Sequence, residues 1–360
     1  MTAPTRDDQA VTRRRFLTLA GVAATAPAAA AMFGPNLLSV SAAGSSPLPS
    51  FAPVPPSALG PALNADGYFV GNISGDLYWV TDSFYQAMFL TTAEGVVLVD
   101  APPTIGHNLQ RAIDAVTTAN GRPNKVTHIV YSHSHADHIG ASALFGSDVV
   151  RIAQADTLRL LRRDADPNRP LPTLTFEDHH LLEVGGERLE LAFHGPNHSP
   201  DNIFVFAPAQ ETLMVVDVLF PGWVPFKSLA VSQDIPGWVK AHDIALDYPW
   251  TTLVGGHLGR LGVRNDGIVE KQYLADLEAS TRAAIAAVDP SPFFAAYYPN
   301  AWAIFKAYLD AVSTQAADPV IAKYLGVLAG ADVYTFLNAA AMLDTLRIDS
   351  GDLGPFGDHP

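Results

Sequence analysis

The sequence predicts an α/β fold of the α+β type: a sandwich of two mixed sheets flanked by helices, followed by a helical extension. Three observations point there. Short apolar, β-rich runs recur between about Tyr68 and Gly262, with helical patterns between them but no strict strand–helix alternation. That irregularity disfavours a doubly wound parallel sheet. From about Gly267 to Leu346 the pattern becomes helical, rich in Ala, Leu and aromatic residues. The 360 residues, 48% hydrophobic and 16% charged, are enough for a sizeable core.

In chain order, residues 1–42 read as an address. Thr12-Arg13-Arg14-Arg15-Phe16-Leu17 resembles a twin-arginine export signal, and an Ala-rich apolar stretch from Phe16 to Phe33 follows. Val40-Ser41-Ala42 suits cleavage, with the Ala28–Ala31 run as a competitor. The stretch is weakly hydrophobic and contains Pro27, which argues against a permanent span. The expectation is an exported, periplasmic or secreted protein with no stable membrane span after processing.

Residues 43–66 form a Pro- and Ser-rich lead-in. Residues 67–265 form the mixed α/β domain. Its strands are expected at Tyr78–Thr81, Ala87–Thr91, Val96–Asp100, His128–Ser132, Arg188–His194, Ile203–Ala207 and Thr212–Asp217. Helices are expected at Asn108–Thr118, Ala141–Phe145 and Asp156–Arg163. Residues 266–348 form the helical extension, with breaks at Pro290, Pro292, Pro299 and Pro319. Residues 349–360 read as a loose tail.

Charge and composition narrow the function. Acidic residues number 36 against 22 basic, a formal charge of −14, whereas a nucleic-acid binder needs a basic footprint. The absence of cysteine excludes disulfides, thiolate zinc sites and cysteine nucleophiles. Any metal must be held by His, Asp or Glu, and there are twelve histidines.

The densest chemistry is Ser132-His133-Ser134-His135-Ala136-Asp137-His138-Ile139-Gly140, just past an apolar strand. At a strand-to-loop turn His133 and His135 can face one point, and Asp137 and His138 a neighbouring one. Imidazole nitrogen and carboxylate oxygen suit zinc. Further along stand Gly195-Pro196-Asn197-His198-Ser199-Pro200, the strand Leu213–Val216 ending in Asp217, and Gly255-Gly256-His257. Earlier, Val96–Val99 closes on Asp100.

His-x-His-x-Asp-His with these four companions, in this order, resembles the metallo-β-lactamase superfamily over roughly Tyr68–Gly262. The resemblance implies that family's αββα fold and two divalent metal ions, zinc first, with manganese or iron as alternatives. It implies that His133, His135 and His198 hold one ion, that Asp137, His138 and His257 hold the other, and that Asp217 bridges them. A metal-bridging water or hydroxide would attack the substrate, with Asp137 handling a proton. Asp100 is either a residue that orients this site from behind or a strand-end cap; His194 is either of the former kind or a satisfied polar residue. The remaining histidines, His107, His128, His179, His180, His242 and His359, read as surface, capping or strand-start residues.

Members of the family cleave many substrates, so the fold alone does not choose one. In the dinuclear β-lactamases a Cys stands where this chain has Asp217, with a Lys three residues later; here that residue is Phe220. The lactonases carry a Tyr shortly after the Asp; here Val218–Phe226 is apolar and aromatic. Phe220, Trp223 and Phe226 therefore read as a pocket wall or as core. Trp79, Phe84 and Tyr85, around an Asp82-Ser83 turn, are a second candidate wall. Lys227 reads as a surface lysine or a partner for an anion. The aromatics Phe293, Phe294, Tyr297, Tyr298, Trp302 and Phe305 could cover the pocket mouth, form a homodimer interface or pack as core.

The function expected is a dinuclear zinc metallo-hydrolase, lactonase- or esterase-like, acting on a small-molecule acyl substrate with an apolar portion. A β-lactamase-like amide hydrolase is the alternative. A non-catalytic metal-binding protein and a mononuclear iron oxygenase are the weaker ones.

Overall fold

The computed structural model describes residues 48–357, so the expected export signal of residues 1–42 lies outside the described residues. Two sheets face each other. The first has seven strands in sequence order: β1 (Phe69–Ser74), β2 (Leu77–Thr81), β3 (Gln86–Thr92), β4 (Gly95–Val99), β5 (Val126–Val130), β6 (Val150–Gln154) and β7 (Leu174–Phe176). It is antiparallel through β4 and parallel from β4 to β7. The second runs β12 (Thr252–Val254), β11 (Thr212–Val215), β10 (Phe204–Ala207), β9 (Glu187–Ala192), β8 (His179–Val184), with only β11–β12 parallel.

The period of two in each strand builds the layers. On β4, Val97 and Val99 point into the core between the sheets, with Met88, Leu90, Val130, Val205 and Met214. Val96 and Leu98 point outward and meet Leu109, Ala112 and Ile113 of α1 (Asn108–Asn120). On β10, Val205 and Ala207 face inward, whereas Phe204 and Phe206 face the second helical layer. Both faces of β3 and β4 are therefore covered, which is why these strands read as unbroken apolar runs.

The second helical layer contains α5 (Ile235–Asp247), α6 (Arg264–Ala287), α8 (Ala301–Tyr324) and α9 (Ala331–Ile348). Between β5 and β7 lie α2 (Ala136–Ile139) and α3 (Ala155–Asp164), and α7 (Ser291–Tyr297) precedes α8. The remaining short element, α4 (Lys227–Val231), is a turn of the opposite hand: Ser228, Leu229, Ala230 and Val231 all have φ between 53° and 61°. Among the described residues no helix is long and apolar enough to cross a membrane.

Three expectations are corrected. Pro319 does not break its helix, because α8 runs through it, packed along α6 and α9 by Val312, Ala316, Ala317 and Val320. The expected helix at Ala141–Phe145 is a 3-10 turn, Ser142–Phe145. The tail is not loose through residue 357: Phe356 packs on Phe305 and Tyr308, both at 5.0 Å between ring centroids. Strands β1, β6, β7 and β8 escape the sequence reading. β6 carries a buried Arg151, and β7 is only three residues long.

Candidate metal centre

Four strand ends and one hairpin tip meet at one rim of the sandwich. After β5 the chain passes through Ser132 to α2, which carries Asp137 and His138. The link from β9 to β10 presents His198. Its shape depends on Asn197, whose Oδ1 accepts from the His198 N–H at 2.7 Å and from Asn202 Nδ2 at 2.9 Å. Asn202 Nδ2 also donates to the Val216 carbonyl at 2.9 Å, tying the His198 loop to the residue before Asp217. The loop after β12 presents His257, held by the buried Gln86. Gln86 Nε2 donates to the Leu258 and Arg260 carbonyls (3.0 and 2.8 Å), and Gln86 Oε1 accepts from the Gly255 N–H at 3.2 Å.

Seven side chains converge in two groups. His133, His135, His198 and Asp217 form one; Asp137, His138 and His257 form the other. Asp217 lies between them. Its Oδ2 is 3.1 Å from His198 Nε2, 3.1 Å from His138 Nε2 and 3.6 Å from His133 Nε2, whereas its Oδ1 is 2.8 Å from His257 Nε2. His135 Nδ1 faces His198 Nε2 at 3.0 Å, and His138 Nε2 faces His257 Nε2 at 3.1 Å. Asp137 Oδ2 is 3.4 Å from His138 Nε2 and accepts from the Tyr85 hydroxyl at 3.4 Å.

The donor set fits divalent cations. His133 is fully buried; Ser132 Oγ engages its Nδ1 at 2.9 Å, and its Nε2 is left without a partner. Burial, then the neighbouring imidazoles, holds His133 well below the ordinary histidine value, and burial takes His198 down to about 4. Both are thus neutral at pH 7, the form that donates a lone pair. Burial alone would raise the Asp217 carboxyl, but His138, His198 and His257 pull it well below the usual range. Burial opposes a charge on His138, yet Asp217, Asp137 and Asp100 raise it to about 9. Positive charge is therefore favoured at the point where the two groups meet.

Behind the cluster, Asp100 is fully buried, with φ 63°, and its Oδ1 accepts from the Ser132 N–H at 2.8 Å. Burial raises its carboxyl to about 6, against the opposing pull of His138 and Ser132. Asp100 thus caps its strand and fixes the start of the His133 loop at once. His194 is placed elsewhere: its Nε2 meets the Tyr248 hydroxyl at 2.8 Å, and its ring packs on Phe204. Its position beside the ligand loop in sequence does not turn it toward the cluster. His242 is not at the surface; it is 1% exposed, with Nδ1 3.0 Å from the Trp238 carbonyl and Nε2 3.7 Å from Glu270 Oε1.

A cavity of about 620 Å³ opens beside the cluster. His135, Asp137, His198, Asp217 and His257 form its floor, and Phe220, Trp223 and Phe226 its aromatic wall. Phe84 and Tyr85 overhang it from the β2–β3 turn, where Asp82 Oδ1 accepts from both their N–H groups (2.9 and 2.8 Å). Trp79 is not part of it: it faces the core between the sheets, against Phe69 at 5.5 Å. The cavity draws its helical-extension residues from Gly330, Val333 and Tyr334, not from Phe293 to Phe305. Gln233, Val333 and Tyr334 escape the sequence reading, since no spacing marks which face of α9 meets the site. Lys227 does not line the cavity.

A model of the metallo-beta-lactamase superfamily matches residues 80–281. The 2,4-dinitroanisole O-demethylase subunit alpha of Nocardioides sp. (strain JS1661) is 26% identical over 223 residues, 60% of this chain and 63% of that one. The type 2 metallo-beta-lactamase of Elizabethkingia meningoseptica is 26% identical over 177 residues, 48% of this chain and 68% of that one. Thus the chain spans a little under two thirds of the demethylase subunit's length. Among solved structures, a metallo-beta-lactamase from Pontibacter korlensis is 24% identical, with a TM-score of 0.49, over 58% of this chain and 99% of that one.

Proposed function

The chain belongs to the metallo-beta-lactamase superfamily, and from that premise we propose that it is a dinuclear zinc hydrolase of an ester, lactone or related acyl compound with an apolar portion. The observation that carries this reading is the position of Asp217 between the two ligand groups: its Oδ2 faces His198 of the one and His138 of the other, and its Oδ1 faces His257. A site for a single ion needs no such shared carboxylate, and a storage site needs no substrate cavity beside it.

Two divalent cations bound there supply Lewis acidity, which acidifies water and polarises a carbonyl. The chain's own residues do the rest. Asp137, the most exposed of the acidic groups here, with 44% of its side chain accessible, takes the proton of the attacking water at Oδ2 and returns it to the leaving group. The Tyr85 hydroxyl, donating to that oxygen, sets its direction. Desolvation, then Asp137, pushes Tyr85 up to about 12, so it stays a donor across the working range. The aromatic wall holds the apolar portion of the substrate and excludes water. Export through the twin-arginine-like leader at Thr12–Leu17 belongs to the same proposal.

Elemental analysis of protein purified without added metal tests the metal reading, and turnover of an aryl ester, a lactone and nitrocefin tests the substrate reading. About two zinc ions per chain with ester or lactone turnover are expected. One iron per chain, or turnover of nitrocefin alone, overturns the proposal.

A further inference from the structure

Outside the His/Asp cluster the described lining of the cavity carries no cationic side chain. Among the described residues that line the cavity, none is Lys or Arg. Its apolar lining includes Phe84, Phe226, Val231, Val333 and Tyr334, with Gln233 as a neutral amide. Phe84 and Phe226 leave 71% and 48% of their surface accessible, and Val231 leaves 56%. Solvent-facing aromatic and branched residues gathered around one concave space are surface that a ligand is meant to cover. An anionic group seated against this wall would lose water without gaining a partner, whereas an aromatic ring would lose nothing.

The wall is also built at a cost. The segment that presents Phe226, Ala230 and Val231 is the left-handed turn α4, with four consecutive non-glycine residues at positive φ. Such a conformation costs roughly 1–2 kcal/mol per residue. It is held by Asn338 of α9: Asn338 Oδ1 accepts from the Leu229 N–H at 2.9 Å, and Asn338 Nδ2 donates to the Pro225 carbonyl at 3.0 Å. A strained segment fixed from behind by a buried amide, with its outer face on the cavity, marks this wall as functional surface.

We infer that the cavity selects an uncharged, aromatic substrate, and that Phe226 and Val231 set this selectivity. The inference rests on the hydrolase reading of the same site, and it narrows the substrate class to neutral aryl or aromatic-acyl compounds. Carboxylate-bearing substrates, β-lactams among them, are then disfavoured by the cation-free apolar lining.

The test is direct binding to metal-loaded protein, followed by fluorescence. The probes are N-phenyl-1-naphthylamine and 8-anilino-1-naphthalenesulfonate, which share a ring system and differ by one sulfonate. The neutral probe is expected to bind at least about tenfold more tightly. Phe226→Ala should weaken it about fivefold or more. Val231→Lys should at least halve the preference by improving the anionic probe. Leu181→Lys, at an exposed position on β8 outside the cavity, changes the total charge equally and should leave the preference unaltered. Equal or tighter binding of the sulfonate, no binding of either probe, or indifference to both cavity variants overturns the inference. Neutral-probe selectivity without turnover of any ester or lactone would sink the hydrolase reading and leave the cavity inference standing. Ester turnover with sulfonate preference would do the reverse.

Discussion

The indole Nε1 of Trp238 donates to the backbone carbonyl of Asp217 at 2.8 Å, and both residues are buried. The Asp217 N–H donates on the other side to the Gly255 carbonyl at 3.3 Å. The peptide that carries the shared carboxylate is therefore gripped by α5 and by the β12 loop, in a conformation with φ 62° that non-glycine residues seldom take. Trp238→Phe removes the donor together with the pyrrole ring. It should lower stability by about 2–4 kcal/mol, from one unpaired buried carbonyl and a small cavity. It should also weaken metal retention on dialysis against a chelator. Chemical denaturation and elemental analysis check both, and unchanged metal retention would dissociate Trp238 from the site.

Removing the shared carboxylate has a sharper signature. Asp217→Ala leaves His138, His198 and His257 without the oxygens they face at 2.8–3.1 Å. Metal content should fall from about two ions per chain to one or fewer, with loss of turnover. His194→Ala, whose ring lies on Phe204 and Tyr248, should keep the full complement. Elemental analysis of the two variants side by side separates them.

The convergence of the His/Asp cluster was legible because candidate metal ligands are constrained in residue type and order together. His133, His135, Asp137 and His138 sit in one short run, and Asp217 and His257 each follow shortly after a strand, so the local chain already presents them. The supports were not legible. Gln86, Asn202 and Trp238 act across long sequence separations, through contacts that no local pattern announces. Trp79 illustrates the opposite failure. It stands in the same hairpin as Phe84 and Tyr85, but strand alternation sends it into the core, and without the strand's register its face could not be read. The left-handed turn at Ser228–Val231 was hidden because none of its residues is glycine, the usual marker of positive φ.

That turn makes Asn338 a point of failure. Asn338→Ala strands the Leu229 N–H and the Pro225 carbonyl and releases a segment that is left-handed only under restraint. The loss should be about 2–4 kcal/mol, near the sum of two unmet buried groups. Asn338→Asp keeps the acceptor for Leu229 but sets a buried carboxylate against the Pro225 carbonyl, and should be no more stable than the alanine variant. Urea unfolding of the three proteins gives the order, and an alanine variant as stable as the parent would refute the clamp.

The last expectation concerns pH. Glu270 of α6 is 2% exposed, and its Oε2 accepts from the Phe220 N–H at 2.7 Å, three residues after Asp217. Burial raises its carboxyl above the usual glutamate value, although His242 and the Phe220 N–H pull it down. A raised value in the folded state means that folding favours the protonated form. That contribution is complete below the unfolded value of about 4.3 and is lost as pH rises through the folded value. Glu270→Gln keeps an acceptor for Phe220 and removes the titration. Relative to the parent, the variant should therefore gain stability as pH climbs through that window and hold a constant difference above it. Denaturation at a series of pH values reads this directly. A difference that is flat across the series, or that grows toward acid, would show that Glu270 is ionised in the fold without penalty.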